Sequence, residues 1–132
     1  MRITPDTNVL ARALLGDDAE HTPRARELLA ESEDVVLTFV ALAELDWVLR
    51  KQAKWQRAHV LDALRRMLSQ PNVRYYRWMI EEGLAALEAG ADFADGIIAY
   101  DGAWQHGDTF VTFDQKTAAV MRARGTEVLL LD

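Results

Sequence analysis

The chain has 132 residues, half of them apolar, with no cysteine and a formal net charge of −6. That length suits one domain, residues 1–132, around one core, and the missing cysteines exclude a disulfide frame and thiolate chemistry. No apolar run reaches the roughly 18 residues of a membrane span, and Met1-Arg2-Ile3-Thr4-Pro5 lacks the apolar segment of a secretion signal, so a cytoplasmic protein is expected. The acidic balance argues at first against a nucleic-acid ligand, but the charge is unevenly spread. Residues 1–49 sum to −6 and residues 78–132 to −7, whereas residues 50–77 sum to +7, through residues such as Arg50, Lys51, Lys54 and Arg57 against Asp62 alone.

In chain order, Arg2 to Pro5 is a short strand ending at Asp6, with Pro5 tolerable only where pairing stops. Thr7 and Asn8 open a helix that Gly16 stops. A second helix begins at Asp17-Asp18-Ala19-Glu20 and ends by Asp34, with Ala25, Leu28 and Leu29 as its apolar stripe. The β-branched and aromatic run Val35–Phe39 predicts a strand. Residues 41–49 form a helix that is apolar nearly all round. Glu44 interrupts it, and Asp46, about 200° away, is expected to be solvated. The segment 51–54 breaks this helix and residues 56–69 resume it. After the Pro71-Asn72 turn, residues 73–78 are extended, and Met79–Glu88 form a helix that Gly90 terminates. The helix begun by Asp92 runs to His106-Gly107. Thr109–Phe113 is a strand, Gln115–Arg124 a helix, and Glu127–Leu131 the last strand. This alternation predicts an α/β fold with a parallel sheet covered on both faces.

Open α/β sheets place ligands beyond the carboxyl ends of their strands. Asp6 and Asp114 fall at such ends, Glu44 in a helix just past another, and Asp95 at the start of a buried helix. A bland alternative stands beside this: Asp6, Asp92 and Asp95 sit where helix caps sit. Gathered together, four carboxylates repel, at about 3 kcal/mol for each pair ~5 Å apart. A hard divalent cation reverses that sign; magnesium or manganese takes oxygen ligands, and the chemistry implied is phosphate-ester hydrolysis. His21, His59 and His106 lack zinc spacing, and neither a Gly-rich phosphate loop nor a Gly-x-Ser-x-Gly elbow is present.

Asp6-Thr7-Asn8, Ala43-Glu44 before Trp47-Val48-Leu49, Ala91-Asp92-Phe93-Ala94-Asp95 and Thr112-Phe113-Asp114 together resemble the motifs of PIN-domain ribonucleases. The closest resemblance is to VapC-type toxins of bacterial toxin–antitoxin modules. It runs over essentially the whole chain, with Pro5 as a departure where such proteins carry an apolar strand residue. The resemblance implies a three-layer α/β/α sandwich with a central, mostly parallel sheet of about five strands. It implies a Mg²⁺- or Mn²⁺-dependent endoribonuclease, usually a homodimer, held inactive by a cognate antitoxin. Asp6, Glu44, Asp95 and Asp114 match its acidic metal-binding quartet, Asp92 an accessory acid, and Thr7, Asn8 and Thr112 residues that shape the site.

The basic middle segment mixes its cations with Trp55, Tyr75, Tyr76 and Trp78, a composition suited to phosphate contact and base stacking on looped or single-stranded RNA. Arg50, Lys51, Lys54 and Arg57 are the expected RNA contacts, on a surface equally able to hold an acidic antitoxin segment. The alternative function is a catalytically silent PIN-like module that binds RNA or a partner. A DNA nuclease or flap enzyme is disfavoured because the chain is too short for an added arch or clamp.

Overall fold

The computed structural model describes residues 1–132, which divide into two compact units, Met1–Tyr76 and Arg77–Asp132. The first holds β1 (Arg2–Ile3), α1 (Thr7–Leu15), α2 (His21–Glu31), β2 (Asp34–Val36), α3 (Phe39–Trp47), a π-helical turn (Val48–Gln52), α4 (Arg57–Leu68) and β3 (Val73–Arg74). The second holds α5 (Arg77–Ala89), α6 (Phe93–Trp104), β4 (Thr109–Thr112), α7 (Gln115–Ala123) and β5 (Glu127–Leu130). The chain is of the expected α/β class, and every strand pairing is parallel. The five strands form two sheets, one ordered β1-β2-β3 and one pairing β4 with β5. No helix is long and apolar enough to cross a membrane.

In the first unit β1 is only two residues long, because Pro5, which is buried, has no N–H to extend the ladder. Arg2 registers with Asp34, and their side chains pair at 3.2 Å. Gly16 closes α1 in the left-handed conformation, φ 65°, and its N–H donates to the Arg12 carbonyl. The strand expected over Val35–Phe39 stops at Val36 instead. Thr38 turns its hydroxyl to accept from the Ala41 N–H at 3.2 Å, and this N-cap starts α3 at Phe39. Local side-chain capping has won over β propensity. Leu10, Leu42, Leu45, Leu49, Val60 and Leu64 are fully buried, which accounts for the unbroken apolar character of α3.

The expectation that Asp46 is solvated is overturned. Its side chain is 1 % exposed and is gripped by Arg50 through Nε to Oδ1 at 2.6 Å and Nη2 to Oδ2 at 2.9 Å. The i,i+4 spacing brings them together across one helical turn. The helix then widens: the Ala53 N–H donates to the Val48 carbonyl at 3.0 Å, five residues back, and Lys54 takes a left-handed φ of 62°. This is how residues 51–54 break the helix.

In the second unit the inner face of the β4–β5 pair carries Phe110 and Val128, which pack on Ala86, Ala91 and Met121. Val111 and Leu129, cross-strand partners on the other face, are each half exposed. Helices α5 and α6 meet closely through glycine. A Cβ on Gly96 would lie 2.3 Å from the Glu82 carbonyl oxygen and 2.8 Å from the Ala86 Cβ. The first clash is with backbone, which cannot swing aside. Gly96→Ala is therefore expected to cost about 1–3 kcal/mol or more, seen as a fall in the denaturant midpoint; an unchanged midpoint would show that the helices part at no cost.

Candidate active site

In the first unit Asp6 follows β1 and caps α1, its Oδ1 accepting from the Val9 N–H at 3.1 Å. Thr7 is the first helical residue, and its hydroxyl donates to Glu44 Oε2 at 2.8 Å. The acid of α3 is thus tied to the residue after Asp6, although 37 positions separate them in sequence. Asp6 and Glu44 are both exposed. Neither forms an ion pair, while Arg2, Arg12, Arg50, Arg66 and Arg74 are all engaged by other carboxylates. Asn8, expected to shape the same site, also borders a cavity between α1 and α2.

In the second unit Asp92 is the N-cap of α6, and Asp95 at the third helical position completes a capping box, its Oδ2 accepting from the Asp92 N–H at 3.0 Å. The bland and the functional readings of these two acids are therefore not exclusive: each serves the helix start, and both are only partly buried. Asp114 follows β4 and caps α7, its Oδ1 accepting from the Thr117 N–H at 2.7 Å. Thr112 accepts from the Asp114 N–H at 3.0 Å and so fixes the backbone that presents this acid. The Thr117 backbone N–H, with the Thr117 hydroxyl, holds the Asp114 carboxyl below its ordinary value. The group remains charged at neutral pH, and its contribution to folding is lost only as pH falls below the usual carboxylate range. Asp114 forms no ion pair; the cation at the end of α7, Arg124, is taken by Glu82 at 2.7 Å.

Within neither unit do three histidine or acidic side chains form a group that could hold a metal ion. Each unit contributes two members of the expected quartet, Asp6 with Glu44 and Asp95 with Asp114. All four offer hard carboxylate oxygens, the donor type that Mg²⁺ and Mn²⁺ prefer.

Among the expected RNA contacts, Lys51 and Lys54 are exposed and Arg57 is partly so. Arg50 is corrected: its side chain is 7 % exposed and committed to Asp46. Trp55, just before α4, stacks on His59, ring centroids 3.9 Å apart and planes within 4°. Tyr76 and Trp78 are largely exposed.

Among curated proteins, none matches the chain. A family model described as the PIN domain matches residues 3–128. With nearly the whole length covered, and its acids at strand ends and helix starts, the chain belongs to the PIN-domain family, whose members are generally nucleases.

Proposed function

We propose that this PIN domain, residues 1–132, is a Mg²⁺- or Mn²⁺-dependent endoribonuclease acting in the cytoplasm as a homodimeric VapC-type toxin, restrained by a cognate antitoxin. The observation that carries the reading is electrostatic. Asp6, Glu44 and Asp114 are exposed carboxylates that form no ion pair, while the arginines that pair do so with other acids. The proposed ligands are Asp6, Glu44, Asp95 and Asp114, with Asp92 accessory, and waters complete the coordination of such an ion. The chemistry a divalent cation supplies in such a set is water activation and charge screening at the phosphate. The protein's own part is orientation: Thr7 fixes the Glu44 carboxylate, and Thr112 fixes the backbone before Asp114. Lys51, Lys54 and Arg57 draw in the RNA that an acidic site repels, and Trp55 offers a face for a base. The same basic surface suits an acidic antitoxin segment that folds as it binds.

A second reading, a silent binding module, is favoured by one fact: Asp6, Asp95 and Asp114 already have a structural use as helix caps. Incubation of the purified chain with a labelled stem-loop RNA separates the two. The nuclease cuts in Mg²⁺ or Mn²⁺ and stops with chelator. Retention of the RNA without cleavage in either metal would establish the binding module instead.

A further inference from the structure

Helix α3 is buried on most sides and exposes one stripe. Ala41, Leu42, Leu45 and Asp46 are buried, as is Leu49 in the turn that follows. Val40, Glu44 and Trp47 are exposed. At about 100° per residue these three fall within roughly 60° of arc. Lys51, four residues on in the π-helical turn, is exposed as well. Along the stripe the side chains therefore run valine, carboxylate, indole, ammonium.

Glu44 accepts from the Thr7 hydroxyl and forms no ion pair. Lys51 forms none either, the paired cations being arginines and His21. Trp47 is 49 % exposed, and its ring meets no other; the ring contacts of the fold are Trp55 on His59 and Tyr100 against Trp104. A half-exposed aromatic by itself says little. Its neighbours on the stripe make this one informative. Successive turns of a helix set Cβ atoms about 5–6 Å apart, so the indole stands between a proposed metal-binding carboxylate and a cation outside any ion pair. The core of a protein–protein interface is depleted of such charges. A nucleotide uses all three groups: a cation for a phosphate, a π face for a base, and an acid that holds metal at the bond to be cut. The net +7 of residues 50–77 supplies the longer-range attraction.

We propose, resting on the nuclease reading above, that Trp47 stacks the unpaired base adjoining the phosphate that Glu44 serves, with Lys51 on the phosphate beyond. Trp47 thereby selects looped or single-stranded RNA, because a base stacked within a duplex has no face to offer.

The probe is a fluorescein-labelled stem-loop RNA, its binding to the full chain followed by anisotropy in chelator so that nothing is cut. Trp47→Ala is expected to weaken binding about tenfold. Trp47→Leu, which keeps an apolar body without a π face, weakens it at least about fivefold, whereas Trp47→Phe stays within about threefold of the parent. Should Trp47→Ala fail to fold, the contrast between leucine and phenylalanine carries the test. Trp104→Ala removes an indole that is 71 % exposed in the second unit and leaves binding unchanged. When a single abasic site is moved through the loop, one position weakens the parent but weakens Trp47→Ala no further, and in Mg²⁺ the cut falls beside that position. Parent-like binding by Trp47→Ala overturns the assignment, and so does parent-like binding by Trp47→Leu, which would mean an apolar contact and not a stack. A parent dimer that Trp47→Ala splits into monomers overturns it too, by giving the indole to a seam between copies. A parent that shows this dependence on Trp47 but cuts nothing in Mg²⁺ or Mn²⁺ would sink the nuclease reading and leave the stack in place.

Discussion

Asp6→Asn is expected to leave the protein folded and, on the proposed function, to lower metal-dependent RNA cleavage by at least about a hundredfold, and Asp114→Asn to do the same. The two substitutions separate the structural and the chemical duties of one side chain. Asparagine is as good an N-cap as aspartate, so its amide oxygen continues to accept from the Val9 or the Thr117 N–H. What disappears is the negative charge that a divalent ion requires. Melting temperatures should stay within about 2 °C of the parent, since a cap preserved in kind changes stability by only tenths of a kcal/mol. Alanine at either position removes both duties and lowers the melting temperature besides. Cleavage is measured in single turnover on labelled RNA. Full activity in both asparagine variants would mean that these acids do no more than start helices.

Asp46→Ala is the substitution expected to damage the fold most. It strands the Arg50 guanidinium, 7 % exposed, without its bidentate partner. Removing one member of a buried pair costs about 3–5 kcal/mol, because the remaining charge stays desolvated. For a chain of this size that lowers the melting temperature by about 10 °C or more. Replacing both partners together, Asp46→Leu with Arg50→Met, is expected to recover most of the loss. The comparison by thermal and urea denaturation isolates the stranded charge from the lost contact. A single variant that melts with the parent would show that water reaches Arg50 and that the pair contributes little.

These two cases also mark what the sequence makes legible. Asp6 and Asp114 are readable because each follows a strand-like run and precedes a helical one, so local pattern alone puts them at strand ends. Gly16 as the stop of α1 is readable for the same reason. The Thr7–Glu44 bond is not, since 37 residues separate its partners and only tertiary packing brings them within reach. Asp46 shows a different failure. Its angle from Glu44 on the helical wheel was sound, but opposition to one exposed acid does not put a residue in water when the helix is buried on most sides. The i,i+4 spacing to Arg50 was present in the sequence and held the answer. Thr38 is a third kind: a β-favouring residue whose hydroxyl found a better use as a cap. The division of the strands into a group of three and a pair was beyond periodicity, which reports that a segment is extended and not which neighbour it bonds.

The helix-capping acids carry a consequence for how such a chain changes over generations. Aspartate and asparagine codons differ by a single base, and on the proposed function that base at Asp6 or Asp114 would separate a cutting protein from an inert one while the scaffold remains sound. Lineages built this way can shed their chemistry in one step and keep a working surface. Descendants that have done so would retain asparagine, rather than a random residue, at these two positions.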